Sequence, residues 1–213
     1  MTISADLDRA KLTVVLDIRH PFAYLALRPA IELGQDAGVE INWLPLRSQT
    51  LRPPLASSPD DDRGIRHRLR RAQMIAREIA VYAEARGLQI DEPYRDGPST
   101  AFELAWLWVR DAAAKSLEPF LEQAFRCYWA LDLDVGSIED VANVVEQCGL
   151  ESVAFREWAR DEAEAASSIS EQLAQAGVFQ TPAYLVGDEV FFGRQHLPMI
   201  RWILEDKDGP VPI

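Results

Sequence analysis

The chain has 213 residues, of which 48% are hydrophobic and 26% are charged, a balance that is typical of a globular protein and not of a disordered one. Its 22 basic and 34 acidic residues give a net charge of -12, which repels nucleic acids and anionic membranes. No stretch approaches the ~20 apolar residues of a membrane-spanning helix. We therefore expect neither a nucleic-acid partner nor a membrane partner.

The first fifty residues predict a β-α-β unit. Residues 12–18 form a short β-branched run, typical of a buried strand. Pro21 suits the first turn of a helix over residues 22–37, which Gly38 ends. Residues 39–44 alternate between polar and apolar and predict a second strand. Two strands joined through a helix are expected to be parallel.

The middle of the chain is helical in pattern. Residues 51–62 predict a proline-rich and aspartate-rich loop, and residues 64–176 predict five or six amphipathic helices. Cys127 and Cys148 lie in apolar helical runs, where a free cysteine behaves as a small core hydrophobe. The aromatic residues expected to form the core of these helices are Trp106, Trp108, Phe120, Phe125, Tyr128 and Trp129.

The end of the chain predicts a β-hairpin and a helix. Residues 182–186 and 189–192 are strand-like and flank Gly187-Asp188, a strong two-residue turn signal. A last helix is expected over residues 195–205. The predicted order is thus β-α-β, a helical block, and β-β-α.

Several residues carry no functional pattern of their own. Five clustered arginines spread over more than one helix face, which favours a solvated surface: Arg63, Arg66, Arg68, Arg70 and Arg71. His67 and His196 are separated from each other and from cysteine, so we expect no metal site. The first eleven residues mix charges and lack the apolar segment of a secretory signal, and two cysteines make no disulfide framework, so we expect a cytoplasmic protein.

Two segments carry chemical information. In the first, Asp17 ends a strand and is expected to cap the next turn, and His20 stands at the start of the following helix, whose N–H groups stabilise a thiolate or another anion. In the second, Thr181-Pro182 opens a strand, where a cis peptide bond would expose the backbone of Thr181 to a ligand.

The chain resembles the DsbA-like thioredoxin superfamily and, within it, the branch of kappa-class glutathione transferases and 2-hydroxychromene-2-carboxylate isomerases. Five segments in the same order carry the resemblance: Asp17-Ile18-Arg19-His20-Pro21-Phe22-Ala23-Tyr24-Leu25, Trp43-Leu44-Pro45-Leu46, Phe125-Arg126-Cys127-Tyr128-Trp129, Gly177-Val178-Phe179-Gln180-Thr181-Pro182 and Phe191-Phe192-Gly193.

The resemblance implies an α/β thioredoxin fold with a large all-helical domain inserted after the second strand. Residues 1–60 and 177–213 would form the thioredoxin-like domain, and residues 61–176 the helical insert. It also implies a homodimer and a small-molecule substrate, with glutathione as cofactor. The residues implied to bind glutathione or substrate are Pro21, Phe22, Thr181, Pro182, Gly193, Arg194 and Gln195, and the implied catalytic residue is His20.

The chain departs from the family pattern at the reactive positions. His20 stands where glutathione-using members carry serine, and His20-Pro21-Phe22-Ala23 replaces the Cys-x-x-Cys of redox-active members. Gln195 replaces the aspartate that holds the γ-glutamyl end. Disulfide exchange through a mixed disulfide is therefore excluded at this site.

Three functions are left open by the sequence. The chain could be a glutathione-dependent isomerase or transferase acting on a small aromatic or electrophilic compound. It could instead use His20 for acid–base chemistry without glutathione. It could also be a degenerate, redox-inactive binding protein in which His20 only caps the helix or hydrogen-bonds Asp17.

Overall fold

The computed structural model describes residues 6–7, 9–54 and 62–212. Within these ranges the chain forms four strands and eight α-helices. The strands are β1 (Leu12–Leu16), β2 (Ile41–Pro45), β3 (Ala183–Val186) and β4 (Glu189–Phe192). The helices are α1 (Pro21–Ala37), α2 (Arg63–Arg86), α3 (Thr100–Ala112), α4 (Leu117–Trp129), α5 (Ile138–Gln147), α6 (Ser152–Asp161), α7 (Ala165–Gln175) and α8 (Leu197–Leu204).

The four strands form one mixed sheet in the order β2-β1-β3-β4. β1 and β2 are parallel, whereas β3 is antiparallel to both β1 and β4. This arrangement confirms the predicted β-α-β and β-β-α units at the two ends of the chain. The turn between β3 and β4 places Gly187 at φ 57°, a conformation that glycine adopts without steric cost.

Both N-terminal strands are shorter than the sequence predicted. β1 stops at Leu16 because the Asp17 N–H donates to the Thr181 hydroxyl and the Asp17 carbonyl accepts from His20 N–H, which turns the chain. β2 begins only at Ile41 because the Val39 N–H closes the end of α1 on the Gly34 carbonyl. Local side-chain patterns do not show these long-range and capping bonds.

The predicted loop over residues 51–62 lies partly outside the described residues. Residues 51–54 have no regular structure, and residues 55–61 are not described. Asp62 caps α2, since its side chain accepts from the Ile65 N–H. A short 3₁₀ turn over Arg194–His196 precedes α8, so the last helix begins two residues later than expected.

Six α-helices lie between β2 and β3, in agreement with the predicted helical block. The predicted aromatic core is confirmed for all but Trp108, which is only partly buried. Trp106 of α3 donates its indole N–H to the Trp43 carbonyl of β2 at 3.1 Å, and this bond joins the block to the sheet. One apolar cluster includes residues from β1, α1 and α3 to α7, so the division into two domains stays a prediction.

The two cysteines contact the core, as the sequence predicts, without being fully buried in it. Both are free thiols that pack against the core while remaining half-buried, Cys127 in α4 and Cys148 directly after α5.

Within residues 6–7, 9–54 and 62–212, no helix combines the length and the apolar character required to cross a bilayer.

Candidate functional site

The Asp17 carboxylate, at the end of β1, is the polar centre of the site. It is buried and accepts hydrogen bonds from the Arg19 N–H at 3.0 Å and from the Arg19 guanidinium at 3.1 and 2.8 Å. It also accepts from the backbone N–H and the hydroxyl of Ser48, at 2.7 and 2.9 Å. The expected capping role of Asp17 is therefore confirmed, and the carboxylate additionally holds the loop that follows β2.

The Arg19 side chain extends this network to the helical block. Only 6% of it is exposed, and its guanidinium donates to the carbonyls of Ser48 and Gly97 and to the Asp96 carboxylate. Burial lowers the pKa of Arg19, but the hydrogen bond to Asp17 and the charge of Asp17 raise it. The net pKa of Arg19 therefore lies above the ordinary value. A paired and fully bonded guanidinium can stay charged in this interior.

His20 occupies the N-cap position of α1 without capping it through its side chain. Its Nδ1 atom is buried and has no hydrogen-bond partner among the described residues, so the side chain neither caps α1 nor bonds Asp17 there. Because Nδ1 is buried, only Nε2 is left for a ligand to meet. Burial lowers the pKa of His20, and the positive charge of Arg19 lowers it further. Together they outweigh the negative charge of Asp17, which raises it. The imidazole is thus predominantly neutral at neutral pH.

The turn before β3 lies beside His20. The Thr181-Pro182 peptide bond is cis. The Thr181 hydroxyl accepts from the Asp17 N–H at 3.0 Å and donates to the Val15 carbonyl at 3.4 Å. These bonds hold the turn at Thr181 against the end of β1, and α1 starts a few residues after that end.

A cavity of 670 Å³ opens over His20 and Thr181. Its walls come from the loop after β2, from α2, from Tyr94 and from the turn before the cis-proline. The lining residues are His20, Ser48, Gln49, Thr50, Leu51, Arg52, Pro53, Pro54, Arg68, Arg71, Ala72, Ile75, Tyr94, Phe179, Gln180 and Thr181. Its size is in the range of small-molecule sites.

Of the predicted site residues, only His20 and Thr181 are among the described residues that line this cavity. Pro21 and Pro182 are buried behind the cavity lining. Phe22 lies with its ring centroid 5.8 Å from that of His20.

The predicted Gly193 loop lies behind the same turn. The Gly193 N–H donates to the Pro182 carbonyl at 2.8 Å, and the Gln195 amide donates to the Phe192 carbonyl. The Arg194 guanidinium stacks on Tyr82 of α2 at 3.3 Å from the ring centroid. None of these three loop residues is among the cavity lining in the described part of the chain.

Sequence reasoning missed several residues that the structure places at the cavity. Ser48 had no signal, because its role depends on a contact with Asp17 across 31 residues. Arg68 and Arg71 did have one: together with Ala72 and Ile75 they follow the i, i+3, i+4, i+7 spacing of one helix face. The sequence favours a solvated surface for the whole arginine cluster, and its five members are exposed, although two of them also line the cavity.

The family follows from the sequence. Residues 11–205 match the model of the DSBA-like thioredoxin domain. The chain belongs to this family. The family expectation is thereby confirmed, together with the thioredoxin fold and its helical insertion.

Solved structures with the same fold include isomerases and oxidoreductases. A 2-hydroxychromene-2-carboxylate isomerase shares 19% identity with a TM-score of 0.68, covering 92% of this chain and 95% of that one. A probable DsbA oxidoreductase from Streptomyces coelicolor shares 17% identity with a TM-score of 0.70, covering 96% and 94%. The cytosolic disulfide reductase DsbM from Pseudomonas aeruginosa, solved with GSH, shares 14% with a TM-score of 0.58, covering 92% and 98%. At these identities the likeness shows the fold.

No curated protein matches the chain in sequence. In the described part of the chain, no group of three or more His, Cys, Asp and Glu side chains is arranged to hold a metal ion.

The buried Asp17–Arg19 pair predicts a large loss of stability in Asp17→Ala. Removing the carboxylate leaves the buried guanidinium with only the exposed Asp96 carboxylate as its counter-charge, which costs about 3–5 kcal/mol of unfolding free energy. Urea unfolding measures this loss. The control is Asp36→Ala, which breaks an exposed ion pair with Arg201 and should cost less than about 1 kcal/mol. Equal losses in the two variants would contradict the central role of Asp17.

The lowered pKa of His20 predicts its position in an NMR titration. The chain has three histidines, and the imidazole signal that disappears in His20→Gln should titrate below about 6.5, the ordinary histidine value. The sign follows from burial, which disfavours the charged imidazolium in the folded state. A midpoint at or above about 6.5 for that signal would show that Asp17 dominates its environment.

Proposed function

We propose that this protein is a glutathione-dependent isomerase or transferase that acts on a small aromatic or electrophilic compound. The observation that carries the proposal is the position of His20, at the N-terminus of α1 and in the cavity wall beside Thr181 and the cis-proline turn. The isomerase and the GSH-bound DsbM among the structural neighbours support it by analogy of fold.

The residues present fit a thiol ligand at one end of the site. The start of α1 provides backbone N–H groups and partial positive charge that favour a thiolate. The buried Nδ1 leaves Nε2 of His20 to hydrogen-bond the sulfur or to take its proton. Bound glutathione would supply the sulfur nucleophile. The backbone of Thr181 is the proposed partner for its peptide portion.

The fit is weaker at the proposed γ-glutamyl end. The Gly193 N–H already donates to the Pro182 carbonyl, and Gln195 brings no charge for an α-amino group. Arg194 is held by Tyr82 and lies 3.8 Å from Glu78. The proposal therefore rests on His20 and Thr181. For Pro21, Phe22, Pro182 and the Gly193 loop we propose only that they support these two residues.

A second candidate is acid–base catalysis by His20 without glutathione. The lowered pKa favours it, because a neutral imidazole at neutral pH is ready to accept a proton from a bound carbonyl compound. Disulfide exchange has no support at this position. Cys127 and Cys148 are not among the described residues that line the cavity.

We further propose a cytoplasmic homodimer. The cytosolic assignment of the DsbM neighbour supports the location. Exposed apolar side chains of α2, at Met74, Val81 and Tyr82, support a contact between subunits, since they bury little surface in a single chain.

Calorimetric titration with reduced glutathione tests the main proposal. We expect a Kd between roughly 10 μM and 5 mM, weakened at least ~10-fold in His20→Ala. His67→Ala is the matched control, because His67 is an exposed histidine of α2 outside the cavity lining. The affinity of this variant for glutathione should equal that of the original chain.

The other outcomes separate the alternatives. Absence of binding up to about 10 mM would contradict the use of glutathione. Turnover of a carbonyl compound that then depends on His20 would establish the acid–base enzyme, and absence of both would indicate a degenerate binding protein.

A further inference from the structure

One face of α2 turns towards the cavity. Arg68, Arg71, Ala72 and Ile75 all line it, and their spacing places them on one side of the helix. The hydroxyl of Tyr94 donates to the Ala72 carbonyl at 3.2 Å, which fixes this face beside a second wall of the cavity. The face therefore belongs to the same chamber as His20.

The charge of the lining is of one sign. Arg52, Arg68 and Arg71 contribute three guanidinium groups, and no residue of the described lining is Asp or Glu. This contrasts with a chain that has 34 acidic residues and a net charge of -12. The described lining is thus a local region of positive potential in an acidic chain.

In the part of the chain that the structure describes, these three arginines also have no internal partner. No hydrogen bond or ion pair joins any of them to another residue within the described ranges, whereas Arg19, Arg28, Arg47, Arg110 and Arg156 are all paired with carboxylates. Unpaired guanidiniums keep all their donors available. They match carboxylate and phosphate oxygens in geometry as well as in charge.

Other parts of the wall are apolar or aromatic. Leu51, Pro53 and Ile75 line the cavity, together with the rings of Tyr94 and Phe179. Phe179 is 63% exposed, so its ring is available to contact a ligand. An apolar or aromatic body would cover these groups.

We propose that the α2 face is an anion subsite, and that the second ligand of the cavity is an aromatic or apolar compound carrying an acidic group. Arg68 and Arg71 bind the acidic group, Arg52 adds to the potential, and the body of the compound lies against Ile75, Phe179 and Tyr94. This inference rests on the proposed function only in placing the substrate in the same cavity. It adds the charge of the substrate and the residues that select it.

Three probes of similar size test the subsite by titration: phenylphosphonate, benzenesulfonate and neutral benzamide. We expect affinity to follow charge, with phenylphosphonate the tightest and benzamide the weakest, and to fall with added salt. Equal affinity for the anions and for benzamide, or no binding of phenylphosphonate up to about 20 mM, would overturn the proposal.

Paired variants of α2 assign the binding to its cavity face. Arg68→Gln/Arg71→Gln should weaken phenylphosphonate at least ~10-fold. Arg66→Gln/Arg70→Gln removes the same charge from the same helix outside the cavity lining, and should change the affinity less than ~3-fold. Equal losses in the two would mean a diffuse field instead of a subsite. Circular dichroism checks that both variants stay folded, as expected for exposed side chains.

The two proposals fail separately. Phenylphosphonate binding that depends on Arg68 and Arg71, without any glutathione binding, would retain the anion subsite and reject the glutathione-dependent reaction. Glutathione binding that depends on His20, without phenylphosphonate binding, would do the reverse.

Discussion

A single buried carboxylate holds the site together. Asp17 bonds the turn before α1 through Arg19 and the loop after β2 through Ser48, while its own N–H reaches Thr181. Arg19 carries the same network to Gly97 in the helical block. Each of these segments is irregular backbone, and each needs an internal partner for its polar groups. The shape of the cavity therefore depends on Asp17, although Asp17 does not line it.

The network also explains the state of His20. The Asp17 carboxylate raises the pKa of His20 only through its charge, because its hydrogen bonds go to Arg19 and Ser48. His20 is left buried at Nδ1 without a partner, and burial lowers its pKa. A neutral imidazole at the start of a helix can serve a thiol or a carbonyl compound, and the basic face of α2 adds a separate basis for selecting substrates. The imidazole at the start of α1 and the positive charge on α2 thus come from different parts of the chain.

Much of the fold was readable from local patterns, and the site was readable only in part. The Gly187 hairpin, the Pro21 start of α1 and the aromatic helices follow from turn chemistry and periodicity, and the structure has all of them. The ends of β1 and β2 were misplaced because tertiary and capping bonds set them. His20 and Thr181 were found because each adjoins a proline at a predicted boundary. The bonds to Ser48 arise from contacts between distant segments, which periodicity does not encode. The spacing of Arg68 and Arg71 indicates a shared helix face, but it does not show that this face meets the cavity.

A crystal structure of the protein with reduced glutathione tests the account most directly. The account predicts the sulfur within hydrogen-bond distance of His20 Nε2, the peptide portion beside Thr181, and the α2 arginine face free for a second ligand. Glutathione bound elsewhere, or a sulfur with no contact to His20 in a fully occupied cavity, would contradict it.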